Sequence, residues 1–177
     1  MRILLAVALL SVGLATMVTN AQSGESPKLT DAQIFAIYDQ VNGFDIETAE
    51  LGAVKGHAQE VRQLAAMVLR DHSAVRQMTR DLAERLDVSY DVPEDDEAAR
   101  AHAKVLADLR RLSGADFDRA YLAHEAQFHD TAINAVKTLL LPNVRSEAFK
   151  AQLNAVLPGF EHHLAETLAT AKSLGYQ

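Results

Sequence analysis

Apolar residues recur three and four positions apart over five stretches of the chain, the spacing that gives a helix one buried face. The first stretch opens on Thr30-Asp31-Ala32-Gln33. This is a capping box, in which the Thr hydroxyl and the Gln side chain satisfy backbone N–H groups at the helix start. Its inner face is Ile34, Ile37, Tyr38, Val41, Phe44, Thr48 and Leu51, with Gly43 and Gly52 permitting close packing. Lys55-Gly56-His57 breaks it. A second helix runs from about Gln59 to Leu86 on a stripe of Val61, Leu64, Ala65, Val68, Leu69, Val75, Leu82 and Leu86. Asp87 to Val92 is a loop. Pro93 then opens a shorter third helix, ending near Leu112, whose acidic first turn Glu94-Asp95-Asp96-Glu97 reads as a solvated start favoured by the helix dipole. Ser113 to Asp116 caps a fourth helix that runs to about Leu140, and Pro142-Asn143 turns the chain. The fifth runs from about Ser146 to Leu174 with a kink at Pro158, and faces Leu153, Leu157, Phe160, Leu164, Leu168 and Ala171 inward. Alternating helices with short connections predict an all-α, up-and-down four-helix bundle with an additional shorter helix.

Five ionisable residues interrupt these apolar faces. Asp45 falls on the inner face of the first helix, and His72 sits in the centre of the second stripe. Glu125 lies near the middle of the apolar arc formed by Phe117, Tyr121, Leu122, Phe128, Ala132, Ile133 and Val136, with His129 one turn later. His163 lies at the edge of the last inner face. An ionisable group facing a core is costly unless it is paired or bound. Depth can be counted from the turns at ~1.5 Å per residue. Asp45 and Glu125 come out about eleven residues below the first turn, His72 and His129 about fifteen, and His163 level with Tyr121 to Glu125. The five groups therefore converge to within about two helical turns, with Tyr121 one turn above Glu125 in a supporting position.

Imidazole and carboxylate donors without thiolate suit Fe, Mn, Zn, Cu or Ni. Bundle cores build metal sites in this way, from side chains on facing helices. The proposed ligand set is Asp45, His72, Glu125, His129 and His163, although the Glu-x-x-His pairs of di-iron bundles are missing. The same residues have a structural reading. Each inward His can be a hydrogen-bonded core residue, Glu125 can pair with His72 or His129 and fix helix register, and Tyr121 can be core. His57, His102, His124 and His162 read as loop, surface or rim residues, and Glu47 and Glu50 as solvated.

The chain of 177 residues, 49% hydrophobic and 23% charged, suffices for one well-buried domain. A net charge of −7 without a basic stripe argues against nucleic acid and anionic membrane surfaces. The lack of Cys excludes disulfides and thiol chemistry. No Gly-rich phosphate loop, nucleophile elbow or fixed-period repeat is present. At the N-terminus, Met1-Arg2, the apolar run Ile3 to Val18 and the small residues Thr19-Asn20-Ala21 read as a bacterial secretory signal, too short for a stable span. The alternative is an uncleaved anchor. The division expected is a signal peptide over 1–21, a flexible linker over 22–29 and the bundle over 30–177, placed in the periplasm or otherwise exported.

Four segments carry a resemblance. They are Phe44-Asp-Ile-Glu-Thr-Ala-Glu-Leu-Gly52, then Val61-Arg-Gln-Leu-Ala-Ala-Met-Val-Leu-Arg-Asp-His72, then Phe117-Asp-Arg-Ala-Tyr121 followed by His129, and Leu157-Pro158 followed by His163-Leu164. In this order they resemble the domain-of-unknown-function 4142 family of exported bacterial proteins, over about Thr30 to Leu174. The resemblance implies a ferritin-like architecture and export, with some members at the outer membrane, and it favours Asp45, His72, Tyr121, His129 and His163. A Glu usually stands where this chain has Asp45, which shortens the carboxylate arm. Relatives often carry Gln or an apolar residue where it has Glu125. The likeness supplies no reaction.

The leading expectation is an exported ferritin-like bundle binding a transition metal (Fe, Mn, Zn or Cu) or a small ligand between its helices, with no catalytic residue assigned. The alternative is a non-catalytic envelope or stress-related interaction protein whose buried groups only pair with one another. A third reading is a proton-linked switch, since imidazoles beside carboxylates titrate near neutral pH.

Overall fold

The computed structural model describes residues 28–91 and 96–176. The expected signal segment, the linker up to residue 27 and the proposed helix start at Pro93 lie outside the described residues. Among the described residues the chain is all-α. It forms α1 (Asp31–Lys55), α2 (Gln59–Arg85), α3 (Glu97–Arg110), α4 (Gly114–Ala135) and α5 (Glu147–Ser173). No helix among them is long and apolar enough to cross a membrane.

The capping box forms as expected: Gln33 N–H donates to Thr30 Oγ1 at 3.2 Å, and Gln33 Oε1 accepts from Thr30 N–H at 3.0 Å. Other ends differ. Asp96 caps α3, accepting from Ala99 N–H at 2.8 Å, so the described helix starts at Glu97. Ser113 stands at the start of α4 but its side chain makes no capping bond; Gly114 there takes φ +59°, a conformation open to glycine. The α-helical ladder of α4 stops at Ala135 and widens into a π-helical turn over Val136–Leu140, followed by one short helical turn, Leu141–Asn143. Pro142 explains the change, because its ring would clash with the carbonyl four residues back. α5 continues as one helix through Pro158.

Two long hairpins build the bundle. α1 packs along α2, and α4 along α5; α2 meets α5, while α1 and α4 touch only sparingly. The carboxylate of Asp118, at the start of α4, accepts from His57 N–H (2.7 Å) and Ala58 N–H (2.8 Å) in the α1–α2 turn. At the opposite end Asp31 accepts from Arg145 N–H (2.8 Å) and Ser146 N–H (3.0 Å) in the α4–α5 turn. Each hairpin thus holds the other's turn with one acid. α3 carries the chain back up between them: His102 stacks on Phe44 and Lys55 Nζ donates to the Arg110 carbonyl.

The core falls into two apolar clusters. One contains Ile34, Phe35, Tyr38, Leu82, Leu140, Phe149 and Leu153. The other contains Ala49, Val61, Leu64, Val68, Phe117, Tyr121 and Leu122. Phe35 lies outside the expected inner face of the first helix, yet it is fully buried, with its ring 3.9 Å from that of Phe149 and Tyr90 stacked beyond it. α1 is covered on more than one side, so a single stripe underestimates its buried surface.

Gly52 lets α1 approach Tyr121 of α4 closely. A Cβ there would lie 2.5 Å from Cε2 and Cζ of Tyr121 and 2.9 Å from Ala65 Cβ. Gly159, also helical, has open space at that position. Alanine gains roughly 0.5–1 kcal/mol over glycine inside a helix, whereas overpacking costs about 1–3 kcal/mol. Urea denaturation should therefore show Gly159→Ala stabilised by about 0.5–1 kcal/mol and Gly52→Ala destabilised by about 1–2 kcal/mol.

Candidate metal centre

Between the two apolar clusters lies a polar layer. α1 supplies Asp45, α2 His72, α4 Glu125 and His129, and α5 His163, each 4% exposed or less. The structure brings together all five residues singled out from the sequence. The three imidazole centroids stand 5.2–5.5 Å apart. Asp45 Oδ2 is 3.0 Å from His72 Nε2 and 3.4 Å from His129 Nε2. His72 Nε2 is 3.2 Å from His163 Nδ1, and Glu125 Oε2 is 3.7 Å from His129 Nδ1. Tyr121, in the upper cluster, is fully buried and its hydroxyl makes no hydrogen bond.

The outer partners of the histidines decide where their protons sit. His163 Nε2 lies 3.1 Å from the Asp71 carboxylate, which only accepts, so this nitrogen carries the hydrogen. His129 Nδ1 lies 3.0 Å from the backbone carbonyl of Glu125, and the same logic applies. His72 Nδ1 lies 3.0 Å from Asn42 Oδ1; the Asn42 amide is oriented by donating from Nδ2 to the Tyr38 carbonyl at 2.7 Å. Each ring is thereby held with an N–H outward. Nε2 of His72, Nε2 of His129 and Nδ1 of His163 turn bare lone pairs toward one another and toward Asp45. Phe160 stacks on His72 at 4.8 Å and holds its plane.

Electrostatics agree with this arrangement. Burial drives the His72 pKa down to about 3, with His163 adding to it. Burial also lowers that of His129, against the opposing pull of Asp45. Burial raises Asp45, and raises Glu125 well above the usual carboxylate range with the Asp45 charge reinforcing it. Both oxygens of Asp45, both of Glu125 and Nε2 of His129 are buried without a hydrogen bond. The proton that burial keeps on Glu125 can serve Asp45, but the remaining buried acceptors are unfavourable unless a cation or further protons join them.

Two overlapping sets have donor atoms close enough to hold a metal ion: His72, His129 and His163, and Asp45, Glu125 and His129. Asn42 and Asp71 escaped the reading of the sequence. Asn42 sits one turn before Asp45 on the same helix, and Asp71 directly precedes His72; these spacings were the available signal. His102 corrects an expectation, since it is buried beneath Phe44, with Nε2 3.1 Å from Glu47, rather than at the surface. The α3 face carrying it packs on α1, and burial lowers its pKa.

No curated protein and no solved structure matches the chain. One family model does, over residues 16–170, and its description is "Domain of unknown function (DUF4142)". That span covers most of the chain, including all five residues of the polar layer, and the chain therefore belongs to the DUF4142 family.

Proposed function

We propose that this is an exported, ferritin-like bundle protein that binds a transition metal, Fe, Mn, Zn or Cu, within its polar layer. Nε2 of His72, Nε2 of His129, Nδ1 of His163 and Oδ2 of Asp45 are the donors, and Glu125 is a second carboxylate within reach. The observation that carries this reading is the acceptor behind each ring: the Asn42 amide oxygen, the Glu125 carbonyl and the Asp71 carboxylate. Metal-ligating histidines are held in this way by carboxylates and carbonyls behind them. A tetrahedral ion with bonds of ~2.0–2.2 Å needs donor–donor edges of about 3.3–3.6 Å. Three of the six edges, 3.0, 3.2 and 3.4 Å, are close to that; the donors fall into two overlapping sets sharing His129, so one ion held by all four would draw Asp45 and His163 together. Imidazole with carboxylate selects this group of metals over Mg or Ca, which favour all-oxygen sites. Export rests on the N-terminal segment, and the exported chain is expected to begin near Gln22.

Elemental analysis of the mature protein, purified without a histidine tag, tests the metal. Stoichiometric metal is expected in the wild type, with loss in both His72→Ala and His129→Ala. No bound metal, together with no thermal shift on adding Fe, Mn, Zn or Cu, would leave the layer as a structural network and sink the reading.

A further inference from the structure

A cavity of about 200 Å³ reaches from this polar layer into the seam between α1 and the end of α4, where the two helices touch only sparingly. Asp45, His72 and His129 line its inner end. Val41, Phe128, Ala132, Leu140 and Phe160 are among its walls, and the exposed Asn134 and Thr138 stand at its rim. The π-helical turn Val136–Leu140 forms one side. Such turns recur at functional sites because the extra residue displaces side chains from regular packing. Ile37 and Val41 lie on the inner face of α1 yet remain only half-buried, because they border this space.

We propose that the cavity takes a small neutral molecule with a single ring-sized apolar body and a hydroxyl head directed at Asp45. The size follows from the volume: an apolar cavity of roughly 150 Å³ accepts benzene, so a substituted ring fits here. The body is apolar because aliphatic and phenyl walls offer a charge no partner. The head must bring a donor, because Asp45 Oδ1, Asp45 Oδ2 and His129 Nε2 are acceptors without a hydrogen bond. An anionic head would leave water for aliphatic and phenyl walls that offer its charge no partner. The Tyr38 hydroxyl, also on the wall and without a hydrogen bond, can serve the oxygen of the head. This inference deepens the metal reading by naming what lies beside the same ligands. A metal on Oδ2 of Asp45 would still leave Oδ1 for the hydroxyl.

The test uses the metal-free mature protein with phenol as the probe and benzene and benzoate as comparisons, followed by methyl NMR. Phenol should saturate with Kd about 0.1–1 mM and shift the methyls of Ile37, Val41, Val136 and Leu140. Benzene and benzoate should bind about ten-fold more weakly. Ala132→Leu, which fills the cavity, should weaken phenol by at least about ten-fold while keeping the metal content of the wild type. If that variant does not fold, the wild-type methyl map decides. Benzene binding as well as phenol would overturn the hydroxyl head. Absence of saturation, or shifts confined to other methyls, would overturn the site. Phenol binding in a protein that never takes metal would uphold this inference and remove only the metal reading.

Discussion

Replacing Glu125 by leucine is expected to stabilise the metal-free protein while weakening its hold on metal. Glu125 is fully buried, its carboxyl has no hydrogen-bond partner other than the neighbouring Asp45, and the Asp45 charge opposes its ionisation. Leucine has nearly the same volume, so little cavity or strain is added. Replacing buried ionic groups by apolar residues of similar size stabilises by roughly 1–4 kcal/mol in favourable cases. For a domain of this size, a gain of about 2 kcal/mol raises Tm by ~4–8 °C. The effect has a pH signature. Burial raises the folded pKa of Glu125 above its unfolded value of about 4.3. The folded state then holds the proton more tightly, so its stability falls as pH rises from that unfolded value toward the folded one. The leucine variant should lose this slope. Thermal melts of metal-free protein across pH 4 to 8, with metal titrations alongside, measure both halves. A leucine variant that melts lower than wild type at every pH would mean that the carboxyl has a stabilising structural partner.

The second large effect lies away from the polar layer. Asp118→Ala should destabilise the protein by about 2–4 kcal/mol, because it removes two charge-assisted hydrogen bonds to backbone N–H groups at the start of α2. The corresponding drop in Tm is on the order of 10 °C. Asp118 is fully buried, so water cannot simply replace the carboxylate. Asp116 is the control. It pairs with Arg119 at 3.0 Å, but its side chain is 79% exposed, and pairs of this kind contribute little. Asp116→Ala should melt with the wild type. Equal melting of both variants would show that the Asp118 bonds are replaced by solvent.

The sequence made the convergence of the polar layer legible because helix period and rise are nearly constant. Knowing which residue faces inward, and how far it lies from a turn, was enough to place Asp45, His72, Glu125, His129 and His163 within about two helical turns of one another. The partners behind them were harder to read. Asp71 sits on the margin of α2, where its carboxylate is 37% exposed, and nothing in the period of that helix separates it from a solvated acid. Asn42 draws its role from the amide orientation set by the Tyr38 carbonyl, a contact that pattern alone does not specify. His102 was misplaced because the direction in which α3 packs depends on the crossover, not on its own residues. The π-helical turn likewise needs coordinates. Pro142 marks the end of a helix in any sequence, but not how the preceding turn adapts.

The two acids that hold the opposing turns also bear on the order of assembly. Asp118 reaches back 61 positions to His57, and Asp31 reaches forward 114 to Arg145. Neither contact can exist in a lone hairpin, and closing such long loops carries an entropic cost before any bond is gained. The hairpins can therefore form from local contacts first, and these acids then latch only the correctly docked pair, rewarding the native register at the last stage of folding.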